Sequence, residues 1–250
     1  GVSMAKFDMG AAWDDAIQLL KAHRPLTGTI AAVFLFLPAL AVAWFGPAPI
    51  EPPAEATIDQ LTAAMQQNIL QMLPYQIGVA LFTMFGTVAI MRLWLSRSST
   101  SVGEALGFAA SMLLTILAVQ ILTGLMLGVG FLLLIIPGLY LIGRLAFVAP
   151  LVADRAIRNP VEVIATSWRM THGNGWRIFL FLFLVTLVVI IAASLVGGLV
   201  GMIGGAGSVG KMLGGLVEAG FGLVATMISI AISAAAYRQL ATTQAGDIFA

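Results

Sequence analysis

The sequence predicts an all-α fold, a polytopic membrane bundle of six transmembrane helices with amphipathic helices at the membrane surface. Two observations support this prediction. Of the 250 residues, 60% are hydrophobic and only 9% are charged, and the mean hydropathy is +1.03. Soluble domains carry about 25% charged residues, so lipid rather than water is the solvent for most of this chain. The composition excludes a soluble enzyme, a nucleic-acid-binding protein and a disordered regulator.

Six apolar segments have the length that a transmembrane helix needs, which is roughly 20 residues for about 30 Å of hydrocarbon. We expect one membrane domain over residues 1–250, with spans at about 27–45, 75–95, 105–127, 131–152, 176–199 and 212–236. We expect no cleavable signal peptide, because the first long apolar run begins only near residue 27 and lacks a cleavage site at its end.

The turn between the third and fourth spans has two candidate positions, Gly128-Val129-Gly130 and Pro137-Gly138. A start at Pro137 leaves a fourth span that is too short for a typical bilayer. We therefore expect the turn at Gly128-Val129-Gly130. Pro137 would then kink the fourth span, which is tolerated where neighbouring helices satisfy the freed carbonyl.

The distribution of Lys and Arg predicts that both termini are cytoplasmic. In this orientation ten of the twelve basic residues lie inside, namely Lys6, Lys21, Arg24, Arg92, Arg97, Arg155, Arg158, Arg169, Arg177 and Arg238. Only Lys211 lies outside, and Arg144 lies within a span. The outer loop at 46–74 carries three acidic residues and no basic one.

Short amphipathic helices are predicted on the cytoplasmic surface at 8–22 and 160–172, where apolar residues recur at helical spacing. The apolar face of the first is formed by Met9, Trp13, Ile17 and Leu20. Asp8, Ser101 and Asn159 are helix-capping residue types, and each precedes a short amphipathic stretch and a pair of spans. One interpretation of this pattern, the less favoured of two, is a threefold repeat of one helix plus one hairpin. The alternative is that short cytoplasmic loops need such caps in any fold.

The outer loop is predicted to form a second kind of surface helix. It begins with a stiff proline-rich spacer and continues from Ile58 to Leu73 with apolar residues on one side. We expect this helix to act as a lid on the protein's own bundle, and the alternative is a helix that binds a partner.

Arg144 and Glu218 are the two charges well inside the predicted spans. Ionisable residues in a membrane are costly and usually face the bundle interior and pair. We therefore expect an ion pair between the fourth and sixth spans. Such a pair is either a substrate or headgroup site or a structural clamp, and the second interpretation, which includes a snorkelling arginine, is the more common.

A second candidate site lies at the predicted cytoplasmic interface, before the fifth span. Arg169, His172 and Arg177 are basic, and Trp176 is an aromatic anchor of the kind found at membrane interfaces. These four residues are candidates for contact with lipid phosphate. The alternative is that they only set the topology.

The sequence offers no catalytic constellation. Its two histidines are not clustered with acidic residues as a zinc site requires, and no span contains a histidine to activate a nucleophile. Cysteine is absent, which excludes disulfides and thiolate metal sites. We expect no metal and no cofactor.

A glycine-rich segment at 205–211 nearly matches a phosphate-binding loop. Such a loop requires a preceding strand, and an apolar helix precedes this one, so we expect no nucleotide. Together with Gly205, the glycines Gly197 and Gly201 are expected to allow close helix packing.

Three segments together carry a family resemblance: residues 7–13 (FDMGAAW), residues 137–141 (PGLYL) followed by Arg144, and residues 167–177 (SWRMTHGNGWR). They resemble the six-helix bacterial membrane proteins grouped with the membrane domain of glycerophosphoryl diester phosphodiesterases and the YciC-like inner-membrane proteins. The resemblance runs from about residue 7 to residue 238. It implies a bacterial inner-membrane module concerned with lipids or envelope organisation. Some members of that family carry an appended soluble domain that supplies the catalysis; we expect no such domain here, so no catalytic residue is transferred.

The function expected from these observations is a non-enzymatic integral inner-membrane module that interacts with lipids, organises the membrane or serves as an accessory subunit of a membrane complex. Its expected partners are membrane lipids, and other membrane subunits or a second copy of the chain are further candidates. The alternative is a transporter or channel for a lipid or small solute. A proton-coupled carrier usually has several buried carboxylates, and this chain has one. An intramembrane lipid enzyme is disfavoured.

Overall fold

The structure is a computed structural model that describes residues 6–96, 100–204 and 207–249. Every regular element in these ranges is helical, which confirms the all-α prediction. The α-helices are α1 Met9–Lys21, α2 Arg24–Ala31, α3 Leu37–Phe45, α4 Ile58–Leu95, α5 Val102–Ser111, α6 Leu113–Leu133, α7 Ile135–Arg144, α8 Val148–Arg155, α9 Pro160–Met170, α10 Gly175–Gly204 and α11 Ser208–Phe249.

Six stretches of the described chain are long and apolar enough to cross a membrane, in agreement with the predicted number. They are Arg24–Phe45, Ile58–Leu95, Leu113–Leu133, Ile135–Arg155, Gly175–Ile203 and Ser208–Thr243. The chain is therefore a multi-pass membrane protein. In the first of these stretches, a π-helical segment at Ala32–Phe36 joins α2 to α3 just before Pro38, whose ring nitrogen has no hydrogen to donate to the helix.

The order of one short helix followed by two spans occurs three times, as the capping residues predicted. The side chain of Asp8 accepts a hydrogen bond from the Ala11 amide at the start of α1. Ser101 and Asn159 cap α5 and α9 in the same way. Each cap satisfies a backbone donor that the first helical turn leaves free.

The face that α1 buries in the bundle is formed mainly by small residues. Ala12, Ala16 and Leu19 are buried, whereas Trp13 is exposed. Small side chains bring α1 close to α11, and the hydrogen bonds between Asp8 and Gln239 and the ion pair between Asp15 and Arg238 add to this contact. Of the predicted apolar face, Met9 and Leu20 pack partly buried against the core, and Trp13 is exposed.

The predicted outer helix and the second span form one continuous helix, α4, which passes through Pro74 without a break. With 38 residues at about 1.5 Å each, α4 is roughly 57 Å long, well beyond the thickness of the hydrocarbon. Thr57 and Gln60 form a capping box that fixes its start. The prediction of two separate helices was wrong because a proline signals a helix end less reliably inside a membrane.

The outer part of α4 turns its polar side toward the proline-rich loop, whereas the predicted lid would turn its apolar side toward the bundle. The Asn68 side chain bonds to the backbone N–H and C=O of Ile50, and Gln71 donates to the Ala48 carbonyl. The polar side of the helix thus holds the proline-rich loop. Its apolar side is exposed, with Ile58 81% and Met65 65% exposed, so this side does not cover the bundle as the predicted lid would.

The turn between the third and fourth spans lies at Leu134, and both candidate positions were wrong. Gly128-Val129-Gly130 is inside α6, and Pro137 stands in the first turn of α7, where its missing N–H costs no hydrogen bond. A Cβ on Gly138 would lie 2.6 Å from the Phe131 ring, so this glycine lets the hairpin close tightly. The span is not short, because α8 continues it to Arg155.

The glycines at the far end of α10 do not bring helices together, contrary to the prediction. A Cβ added at Gly197 or Gly201 would meet no atom within 4 Å. These glycines instead line an open cavity between α10 and α11. Of the other predicted features, Arg97 and Gly205 lie outside the described residues.

Candidate functional site

The bundle has an end at which α1 lies, the α1 end, and an end at which the proline-rich loop lies, the loop end. At the α1 end, the amide of Phe7 donates to the side chain of Asn174, so the start of the chain meets the start of α10. At the loop end, the Trp44 indole donates to the Met212 carbonyl, so the end of α3 meets the start of α11. The sequence predicts that the α1 end is cytoplasmic.

The corner between α9 and α10 forms the core of the candidate site at the α1 end. α9 ends at Met170, and Gly173 takes a positive φ of 80° in the turn that leads into α10. A Cβ on Gly143 would lie 2.0 Å from the Gly175 carbonyl oxygen. Only glycine therefore permits this approach of α7 to α10, which places Arg144 beside the corner.

Arg144 is buried in this corner and its guanidinium has only neutral partners. Nε donates to the Thr171 hydroxyl at 3.0 Å, one Nη donates to the Tyr140 hydroxyl at 2.6 Å, and the other donates to the Trp168 carbonyl at 2.6 Å. The guanidinium carbon also lies 3.8 Å from the centre of the Trp168 ring, within cation–π range. The charge is held by hydrogen bonds and aromatic faces, and no carboxylate among the described residues neutralises it.

The backbone of Arg144 is tied to α9 as well. Its carbonyl oxygen accepts hydrogen bonds from the Ser167 hydroxyl at 2.7 Å and from the Thr171 hydroxyl at 3.2 Å. These hydroxyls satisfy a carbonyl at the end of α7 that has no partner in its own helix. Arg144 therefore joins α7 to α9 through both its backbone and its side chain, which is the geometry of a structural clamp.

The predicted ion pair between Arg144 and Glu218 is absent from the described part of the structure. The Arg144 side chain contacts Gly175 at the start of α10, whereas Glu218 lies level with the stretch of α10 that begins at Ile190. Fifteen residues of helix separate these two levels, or about 22 Å. The prediction failed because it paired the two residues by their opposite charge, whereas their side chains lie at different levels of the bundle.

The four predicted lipid-contact residues lie around this corner and are all exposed. The Trp176 ring packs on Tyr140 with the ring centres 5.4 Å apart, which continues the aromatic wall around Arg144. Arg169 donates to the Thr166 hydroxyl within its own helix. Among the described residues, no ion pair or side-chain hydrogen bond occupies His172 or Arg177.

An apolar groove leads away from the corner between α6 and α7. Its volume is about 470 Å³, and Met126, Leu133 and Leu141 are among the residues that line it. Tyr140 belongs to both the corner and the groove, since it lines the groove and its hydroxyl accepts a hydrogen bond from Arg144. A positively charged, aromatic corner is thus continuous with a groove of the kind that an acyl chain fills.

Sequence reasoning missed the partners of Arg144. Tyr140 precedes Arg144 by one helical turn, a spacing that puts both on one face and could have served as a signal. Thr171 and Trp168 lie on another helix, and no local pattern announces them. The contacts of Arg92 were missed as well. Its guanidinium donates to the carbonyls of Ala153 and Asp154 at the C-terminal end of α8, a position where a cation stabilises a helix.

Nothing in the described residues has the form of a metal site, since no group of three or more His, Asp or Glu side chains is close enough to hold an ion. Comparison of the chain with protein-family models, with curated proteins and with solved structures returned no match. The family resemblance of the three sequence segments therefore stays a prediction.

Proposed function

We propose that this protein is a non-enzymatic integral membrane module that binds anionic lipids at the corner between α9 and α10. The observation that carries the proposal is the charge of this corner, where Arg144 is buried without a carboxylate among the described residues and Arg169 and Arg177 are exposed on the two helices that form it. Cations and tryptophans at a membrane interface are the groups that contact lipid phosphate.

The groove between α6 and α7 supports the same proposal. A bound lipid needs an apolar surface for its chains next to a polar site for its headgroup. The groove supplies the first, and the corner supplies the second at Trp176 and Arg177. Tyr140 joins the two. We further propose that the protein resides in the bacterial inner membrane with both termini cytoplasmic, since this places the basic corner on the side where anionic lipids attract it.

Retention of phosphatidylglycerol in native mass spectrometry tests the proposal. The double variant Arg169→Gln/Arg177→Gln removes the two exposed charges and leaves Arg144 in place. Each basic residue near an anionic surface contributes about 1 kcal/mol, so the loss of two lowers affinity roughly 30-fold.

Arg158→Gln is the matched control, because Arg158 is exposed in the loop before α9 and belongs to neither the corner nor the groove. The control is expected to retain the lipid as the unmodified protein does. Equal retention by the double variant and the control would overturn the proposal. Purification without any bound lipid would do the same.

The alternative function, transport of a small solute or lipid, is favoured by one observation, the carboxylate of Glu218 beside two cavities at the loop end. It makes a different prediction. A transporter gives flux across liposomes that contain the unmodified protein and loses this flux in Glu218→Gln. A lipid-binding module gives no flux with either the unmodified protein or the variant.

A further inference from the structure

Glu218 occupies an unusual place in the bundle. It lies ten residues after the start of α11, so about 15 Å of helix separates it from the loop end of that helix. Its side chain is exposed and lines two open cavities. One, of about 630 Å³, lies between α10 and α11, and the other, of about 670 Å³, lies among α3, α4, α11 and the proline-rich loop.

No cation neutralises this carboxylate in the part of the chain that the structure describes. Neither cavity has a lysine or arginine in its lining, and no hydrogen bond or ion pair engages Glu218. Lys211, two turns earlier on the same helix, lines neither cavity. A carboxylate at membrane depth is costly without a partner, so its position indicates a ligand or a pathway.

The second cavity supplies what a binding site needs beside the charge. Its walls are mainly apolar, with Val42, Met72 and Val79 among the lining residues, and Gln76 on α4 adds an amide. Unlike Asn68, whose amide is used by the proline-rich loop, Gln76 has no partner among the described residues. Ligand sites have this character, with an apolar lining, a few polar groups and a volume of about 300–1,000 Å³.

We propose that the cavity among α3, α4 and α11 binds a lipophilic organic cation, with its positive charge at Glu218 and its apolar body against the walls. The charge of the lining selects this class. An anion finds no basic side chain in the cavity, and a zwitterion leaves its own phosphate or carboxylate without a partner at this depth. This proposal concerns the loop end and does not depend on lipid binding at the corner.

Equilibrium binding of radiolabelled tetraphenylphosphonium to the purified protein in nanodiscs tests the proposal. Tetraphenylborate, which has the same shape and the opposite charge, is the ligand control and is expected not to compete. Glu218→Gln keeps the size of the side chain and removes its charge, and we expect it to weaken binding at least tenfold. Asp59→Asn, which removes an exposed carboxylate at the start of α4, is expected to have no effect.

A second pair of variants tests which of the two cavities holds the ligand. A Cβ at Gly222 or Gly214 meets no atom within 4 Å, so both positions accept a larger side chain. Gly222→Leu fills the proposed cavity and is expected to weaken binding at least tenfold. Gly214→Leu fills the cavity between α10 and α11 and is expected to leave binding unchanged.

Four results would overturn the proposal. They are binding that survives Glu218→Gln, competition by tetraphenylborate, competition by phosphatidylethanolamine at the same concentration as the cation, and loss of binding in Gly214→Leu without loss in Gly222→Leu. The phosphatidylethanolamine arm separates a free cation from the amine of a zwitterionic lipid headgroup.

Discussion

An ionisable side chain lies at each end of the bundle, and the two differ in whether the described residues supply hydrogen-bond partners for it. At the α1 end, Arg144 is buried and makes three hydrogen bonds to neutral partners beside close helix contacts. At the loop end, Glu218 has no hydrogen bond among the described residues and stands between two cavities in a glycine-lined region. A charge whose partners belong to the fold stabilises it, and a charge without such partners indicates a ligand.

Replacement of Arg144 with leucine has the largest expected effect. It removes three charge-assisted hydrogen bonds, and the Trp168 carbonyl loses its shortest one. We expect the free energy of unfolding in mixed micelles to fall by about 3 kcal/mol.

Arg144→Lys is also expected to lose stability, because an ammonium group cannot reach partners in three directions of one plane. Arg158→Leu is the control and is expected to change stability by less than about 0.5 kcal/mol. A change of that size in Arg144→Leu would show that the clamp does not stabilise the fold.

The second prediction compares two glycines. In Gly143→Ala the added Cβ would lie 2.0 Å from a backbone oxygen of α10, and we expect overpacking to lower stability by about 2 kcal/mol. In Gly197→Ala the Cβ enters open space, and we expect stability to stay unchanged or rise by up to about 1 kcal/mol from helix propensity. Thermal unfolding of both variants under one set of conditions measures the difference. Equal losses would mean that the two ends are packed alike.

Apolar length made the spans predictable, and local chemistry made the helix starts predictable. The side chains of Asp8, Ser101 and Asn159 cap α1, α5 and α9 as expected. The positions where one helix ends and the next begins were harder to predict, because glycine and proline mark helix ends less reliably in a membrane than in a soluble protein. Pro74 lies inside α4 without ending it, and Leu134, which is no turn residue, marks the tightest hairpin.

The residues of the candidate site could be predicted from the sequence, but the contacts between them could not. Arg144 stands out as a charge in an apolar run, but its partner Thr171 is 27 residues away on another helix. The choice of Glu218 as its partner followed from opposite charge alone. Depth decided otherwise, and the depth of a residue depends on how the helices pack against one another, which no local pattern of residues gives.

The unfolding free energy of Glu218→Gln tests the contrast between the two ends most directly. The variant keeps the shape of the side chain and removes a charge that no described residue of the fold satisfies. The predicted result is unchanged or higher stability of the ligand-free protein in the same micelles in which Arg144→Leu loses about 3 kcal/mol. A loss of more than about 1 kcal/mol in Glu218→Gln would contradict the account, because it would show that the fold itself supplies a partner for this carboxylate.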